Sequence, residues 1–419
     1  MNHEPPADLA PAPPLPGDRR ALLAGIGGIA AGAILAAAKS AHAGPLDPPA
    51  GPVAGTYKTL TEVEPRIAIN AVNTPGGANS LFRITQPGSY YLTGNITGVI
   101  GKHGIEIAAS GVTIDLMGFD LQGVPGMGNF KGVIVTETDL TNIAVVNGSI
   151  RNWGGGGVDL GSFVSHNGRV ENVNASGNNG AGILVGRNSQ LTNCTAYLNN
   201  ATGIAALLGG STITNCTASS NAVHGILTDN GCTISHCTAY SSTGIGIITG
   251  QGCVISNCTV GTCGAAGIGA STGCTITNCA STGNGQHGIS VGNGSTVADC
   301  TVRSNVLDGI RCSVGCLIRG NTGTSNGNGG NGANIHATGN DNRIEGNNCI
   351  LADRGIDVDA SGNIIVRNTC SGNTVNWDIV ANNVVGPILD RTAPASAAIS
   401  GNSAPDSTGS THPNANFTY

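Results

Sequence analysis

Charge and aromatic rings are what this sequence has least of. Asp, Glu, Lys and Arg together make 10% of the 419 residues, and Phe, Trp and Tyr make 3%. Both are low for an ordinary mixed globular enzyme. With 18 Lys and Arg against 24 Asp and Glu, there is no basic face for a nucleic acid to bind. Nor does the chain read as a disordered tail, which is charged and poor in branched aliphatics. Here 39% of residues are apolar, mostly small. Long apolar runs are missing after residue 43, so no later segment reads as a transmembrane helix. Gly is abundant at 67 residues, but not at every third position, which excludes collagen. What remains is a repetitive, tightly turning, largely neutral structure.

The repeat is explicit. Cys194, Cys216, Cys237, Cys258, Cys279 and Cys300 follow one another at steps of 22, 21, 21, 21 and 21 residues. A second column holds Cys232, Cys253 and Cys274, skips Thr296 and resumes at Cys316. Gly-Ile recurs at Gly182-Ile183, Gly203-Ile204, Gly225-Ile226, Gly267-Ile268, Gly288-Ile289, Gly309-Ile310 and Gly355-Ile356. Helical repeats need longer periods, and Gly, Thr, Asn and β-branched residues are poor helix formers. Within a repeat, Cys232 and Ile234 alternate with Thr233 and Ser235, the period of a short strand. Short strands returning every 21 residues stack as a coil, each turn about 4.8 Å above the last. Ile, Val and Cys then point inward, and Asn and Gly occupy the bends, where positive φ is needed.

This Gly-Ile…Ile-x-Asn-Cys…Asn pattern resembles the right-handed parallel β-helix repeat proteins of the pectin-lyase-like superfamily. The resemblance covers about residues 104–385. It implies an all-β right-handed parallel β-helix with about 21 residues per coil, capped at its N-terminal end, and a glycan partner. The expected divisions are an export signal at 1–43, a linker at 44–55, a cap at 56–103, the β-helix at 104–385 and a Ser/Ala/Pro-rich tail at 386–419. About 13 coils make a rod on the order of 60 Å long. Gly88-Ser89-Tyr90-Tyr91-Leu92 reads as a capping strand, and Trp153 and Trp377 as residues of loops or packed ends.

At the N-terminus, Asp18-Arg19-Arg20-Ala21-Leu22-Leu23 precedes an uncharged stretch from Ala21 to Ala38 and then Ala41-His42-Ala43. This resembles a twin-arginine export signal with a small-x-small cleavage site. Asp18 stands where that signal has Ser or Thr, and its Phe-Leu-Lys ending is absent. An uncleaved anchor is the rival reading, because the stretch is just long enough to span a bilayer. The protein is expected to be periplasmic, cell-surface or extracellular, and monomeric, with no membrane span once the signal is removed. An exported chain with 14 Cys invites a disulfide framework. The column spacing favours free buried thiols that fill a narrow interior. Stacked Cβ vectors are parallel, which strains a bridge. Metal ligation is disfavoured because paired His and C-x-x-C spacing are lacking.

Chemistry concentrates in the column just before Gly-Ile. His287 and Asp308 are 21 residues apart and so neighbours on successive coils, with Arg311 just beyond and Arg354 further on. These four are the candidate catalytic residues. A carboxylate serves as acid or base in glycoside hydrolysis, and His or Arg can take a proton alpha to a uronate carboxylate. Asp353, Asp357 and Asp359 are the candidate metal ligands, with Ca²⁺ as the cation expected of clustered carboxylates. Gln286-His287-Gly288-Ile289-Ser290 is similar to the Gly-His-Gly-x-Ser motif of polygalacturonases. That family's Asn-Thr-Asp, Asp-Asp and Arg-Ile-Lys stretches are absent, and Gly-Ile belongs to the repeat.

From Asn188 to Ala298 the only charged residue is Asp229. Those coils present Thr and Ser instead, as in Thr195, Thr217, Thr238 and Thr259. Stacked hydroxyls can pair along a ladder or offer a flat neutral surface to a glycan, although Tyr197 and Tyr240 are the only aromatics there. Three function classes follow. One is a polysaccharide lyase or glycoside hydrolase. Another is a protein that binds polysaccharide or cell-surface glycan. The third is a structural or adhesive envelope repeat protein.

Overall fold

The computed structural model describes residues 64–162, 165–327, 330–390, 392 and 412–419. The expected export signal and linker lie outside the described residues, as does most of the tail. The chain forms a parallel β-solenoid, as the repeat predicts. Among the described residues no helix is long and apolar enough to cross a membrane.

Residues 204–225 show how one coil is made. Ile204–Ala206 lies in a sheet of 14 strands. Thr212–Thr214 and Thr217–Ser219 lie in a second sheet of 28 strands, two to this coil. Register holds from coil to coil, with Ile204 beside Ile226, Thr212 beside Thr233 and Thr217 beside Thr238. Inward Ile residues therefore stack on their own copies and are fully buried, as are Ile204, Ile226, Ile247 and Ile268. At about 25 cal/mol per Å² of apolar surface, these columns are the main source of cohesion.

Coiling begins before residue 104. Ser80–Ile84 pairs in parallel with His103–Ile107, and Gly88–Tyr91 pairs with both Ile67–Ala68 and Val112–Asp115. Gly88–Tyr91 is thus a rung of the second sheet. Ile84, Tyr90 and Leu92 supply the inward positions there without the Cys and Asn markers of later coils. At the other end, Asn416–Thr418 pairs with Thr369–Cys370 and with Ile388–Asp390, so part of the tail belongs to the sheet. Trp153 is buried in the interior, where its Nε1–H donates to the Leu121 carbonyl at 3.0 Å.

The Gly of Gly-Ile is required by close approach. A Cβ on Gly203 would sit 2.5 Å from the Asn221 amide and 2.8 Å from the Gly225 carbonyl oxygen. Several positive-φ bends are instead made by larger residues, among them Asn193, Asn215, Asn257 and Asn278, and even Leu198 and Leu351. Asn tolerates this region because its short amide bonds locally. Leu gains nothing of that kind, so those bends are held by the stacked sheets on either side.

All 14 cysteines are free and buried. Their columns do more than fill space. At many bends a backbone N–H faces the next coil and finds a side chain from the same column. The Cys279 N–H donates to Cys300 Sγ at 3.4 Å, and the Cys300 N–H donates to Asn321 Oδ1 at 2.9 Å. The column then continues in Asn alone, through Asn347 and Asn368 to Asn416, at 2.9, 3.0 and 2.8 Å. The second Cys column changes chemistry in the same way, since the Cys316 N–H donates to Asn342 Oδ1 at 2.8 Å. Cys, Ser and Asn are thus alternative acceptors for one recurring donor. Asn adds a second link, from its own amide to the next one, as in Asn347 Nδ2 to Asn368 Oδ1 at 2.9 Å.

Removing an Asn link should therefore cost more than removing a Cys link. Asn347→Ala leaves the Asn321 N–H without its acceptor and takes one donor from the Ile318 carbonyl, for an expected loss of about 2–3 kcal/mol. Cys300→Ala loses the weak sulfur acceptor of the Cys279 N–H and a small apolar volume, roughly 1 kcal/mol. Urea unfolding of the two variants checks the order. Equal losses would refute the role given to the amide ladder.

Candidate active site

The site forms where the repeat loses its regularity. The step from Ile310 to Ile335 is 25 residues and that from Cys316 to Asn342 is 26, against 21 from Ile289 to Ile310. The longer coil keeps its strands in register. Along the outer face of the 14-strand sheet, Ser290, Arg311, His336, Asp357 and Asp378 are successive neighbours. Asp308 lies just before its Gly-Ile and is buried at 3% exposure.

His287 and Asp308 meet as expected, with His287 Nδ1 3.2 Å from Asp308 Oδ2. A second imidazole joins them: His336 Nδ1 is 3.0 Å from the same oxygen. Asp308 Oδ1 accepts the Ala333 N–H at 2.9 Å. Burial alone would raise the Asp308 carboxyl, but bonds from His287, His336 and the Ala333 amide outweigh it and hold the group well below the usual carboxylate range. An ionised carboxylate only accepts, so both Nδ1 atoms carry protons when they bond to it. The Asp308 N–H also faces His287 Nδ1, at 3.3 Å. The anionic oxygen is the stronger, charge-assisted partner. When His287 Nδ1–H turns to that oxygen rather than accepting the Asp308 N–H, the neutral ring presents its Nε2 lone pair, and among the described residues no group bonds to that atom.

His336 is held from both sides, with Nε2 2.9 Å from Asp359 Oδ2 and 4.0 Å from Asp357 Oδ2. Burial lowers its pKa, but the bonds to Asp308 and Asp359 prevail and push it up to about 9. It is therefore an imidazolium at neutral pH. Burial raises the pKa of Asp357 against the pull of His336 and Arg354. Arg354 faces Asp357 at 3.4 Å and Asp378 at 2.8 Å, and donates to Asn331 Oδ1 at 2.8 Å. It braces the far side of the cluster.

Arg311 sits on the near side. With His287, Ser290, Gly269 and Ile248 it lines a shallow groove of about 450 Å³, a volume in the range of small-ligand sites. Arg311 is exposed, and among the described residues no acidic group pairs with it. Asp353 stands apart from the other two candidate metal ligands, with Oδ2 accepting the Gly330 N–H at 2.7 Å. His336, Asp357 and Asp359 converge, with one ligand atom from each within 4.8 Å of the others. One imidazole and two carboxylates supply fewer oxygens than the six to eight that Ca²⁺ takes. His336 and Arg354 already balance these carboxylates. Of the three candidate ligands, Asp357 and Asp359 converge, with His336 in place of Asp353.

His336 is the residue that pattern reading misses. Its coil has Ala333-Asn334 where others have the residue and Gly before Ile, and the longer step hides the column. The Ile310–Ile335 spacing is the signal that would have aligned His336 with Arg311.

The family model described as "Right handed beta helix region" matches three overlapping stretches, residues 89–231, 131–274 and 185–323. No curated protein matches the chain. Among solved structures, the chain is similar to the A-module of mannuronan C-5 epimerase AlgE6 of Azotobacter vinelandii, at 16% identity over 71% of this chain and 89% of that one, with a TM-score of 0.44. It is also similar to the periplasmic alginate epimerase AlgG, at 11% identity over 75% and 83% of the two chains, TM-score 0.47. A third likeness is to the Dettilon tailspike protein, at 14% identity over 68% and 57%, TM-score 0.36.

The raised pKa of His336 ties stability to pH. Its contribution is complete below about 6.5, the unfolded value, and is lost as pH rises through about 9. Between those limits the stability advantage of wild type over His336→Gln should shrink by roughly 3 kcal/mol. Urea titrations of both proteins at a series of pH values measure it. A constant gap would show that His336 does not bind its proton more tightly when folded.

Proposed function

Because the chain belongs to the right-handed β-helix family, we propose that it is an exported protein that acts on polysaccharide along the outer face of its 14-strand sheet. The observation that carries this reading is the His287–Asp308 pair beside a neutral groove that ends at Arg311. Asp308 fixes the His287 tautomer and supports the charge that develops on the ring, as an orienting carboxylate does in other dyads. His287 Nε2 is then free to act as a base. Arg311 supplies a lone cation where a substrate carboxylate would sit.

These parts favour a lyase over a hydrolase. Glycoside hydrolysis uses two carboxylates flanking the bond, whereas Asp308, Asp357 and Asp359 here are held by imidazole or guanidinium. In a lyase step, His287 takes the proton alpha to the uronate carboxylate. The bond from the neighbouring carbon to the glycosidic oxygen breaks, a carbon–carbon double bond forms, and the departing oxygen takes up a proton, for which the His287 imidazolium is the donor at hand. Arg311 pairs with the negative charge that builds on the carboxylate during proton removal. The N-terminal Arg19-Arg20 segment with Ala41-His42-Ala43 supports export.

A non-catalytic structural or adhesive envelope role is the second reading. It is favoured by the opposite sheet, where Thr212, Thr233 and Thr275 face outward with little charge near them. Incubating residues 44–419 with neutral and uronate polysaccharides separates the two. Lyase action is expected to yield new reducing ends together with the ultraviolet absorbance of the conjugated double bond. His287→Ala and Asp308→Asn should each lower that rate by about 10²–10⁴-fold while leaving polymer retention in place. Reducing ends without absorbance would make it a hydrolase. Retention without cleavage would move the protein to the second reading.

A further inference from the structure

We propose that the glycan taken by this groove is sparsely carboxylated, with one uronate at Arg311 and neutral sugars running away from it along the solenoid. The inference rests on the glycan reading above and adds the spacing of charge in the substrate.

The outward column of the 14-strand sheet carries the argument. Leu184, Ala205, Leu227, Ile248, Gly269 and Ser290 follow one another on neighbouring strands. None bears a charge. The next position is Arg311, whose guanidinium has no acidic partner among the described residues. Beyond it come His336, Asp357 and Asp378, where the cations are already committed to the carboxylates beside them. From Leu184 onward this face thus reads neutral, then a single available positive charge, then acidic.

Coils stack about 4.8 Å apart, close to the length of one sugar ring. A linear glycan lying along the axis therefore meets roughly one new coil per sugar. A polyuronate would bring a carboxylate to nearly every coil. On one side those groups would rest on apolar or hydroxyl surface, losing water without gaining a partner. On the other they would face Asp357, Asp359 and Asp378 at like charge, which rejects a ligand as effectively as missing contacts do. A chain with one uronate among neutral sugars meets neither cost. Its carboxylate reaches Arg311 beside His287, where the proton to be removed lies, and its neutral rings cover Gly269 and Ile248. Gly269 opens the floor at that point: a Cβ there would stand 3.5 Å from the nearest atom, on Ile245, so the space above it is free.

Affinity electrophoresis and turnover with three polymers test this. Dextran is neutral, gellan carries a single uronate in each repeating unit, and polygalacturonate carries one on every sugar. Gellan should be retained and modified in preference to both others. Arg311→Gln should lower gellan retention about tenfold, toward the dextran level. Gly269→Lys places a new cation in the neutral stretch at a backbone position open to side chains, and should add retention of polygalacturonate that wild type lacks. Added salt should weaken gellan retention. Wild-type preference for polygalacturonate or dextran, gellan retention unmoved by Arg311→Gln, or no gain from Gly269→Lys would overturn the spacing inference and leave the glycan reading standing. Failure to retain or modify any of the three polymers would overturn both.

Discussion

Every coil of a solenoid must turn corners, and every corner strands a backbone N–H that no strand can bond. In this protein the whole architecture depends on how that donor is met. The recurring answer is a side chain from the same position one coil further on, whether a thiol, a hydroxyl or an amide. Cys300 and Asn321 do the same work in succession. The requirement fixes one inward polar or sulfur-bearing residue per bend, and so fixes the phase of the repeat. Interior volume, rung spacing and the Gly before each Ile follow from that phase, because the Gly must clear the buried amide beside it.

The site exploits a break in this regularity. Regular coils from Asn188 to Ala298 are almost free of charge and make a neutral floor. The lengthened coil that follows keeps its bend acceptors aligned, so Asn321 still meets Asn347 across 26 residues. The extra residues are taken up between strands and the sheets are undisturbed. That tolerance lets Asp308 become buried beneath the next coil while His287 on the coil before and His336 on the coil after both reach it. A repeat with identical coils would stack like on like and bring equal charges together. The combination of anion between two imidazoles requires three coils that differ.

The fold was legible because its causes are local and repeated. The 21-residue Cys and Gly-Ile columns state the register outright, and the pairing of Ile204 with Ile226 follows from it. His287 and Asp308 were legible for the same reason, being one repeat apart. What could not be read is what departs from the period. His336 is displaced by the longer coil. The early rungs at Ser80–Ile84 and Gly88–Tyr91 carry no Cys or Asn marker, so they look like a cap. Asp353 is near Asp357 in sequence but is engaged by the Gly330 N–H instead of joining the converging group. Periodicity speaks for the average coil and is silent about the exceptional one, where the chemistry lies.

The last Asn of the amide ladder has a consequence for how the chain is assembled. Asn416 closes the column that runs back through Asn368, Asn347 and Asn321 to Cys300. Its strand comes from the far end of the chain and inserts between Thr369–Cys370 and Ile388–Asp390. Most contacts in the solenoid join residues one coil apart, so coils can form in sequence as the chain is made. The coil closed by Asn416 is different, since it waits for a residue 48 positions further on. Until Asn416 docks, the solenoid ends in an open sheet edge with an unanswered amide, a surface suited to pairing with other chains. Closing that coil and protecting that edge are thus a single event.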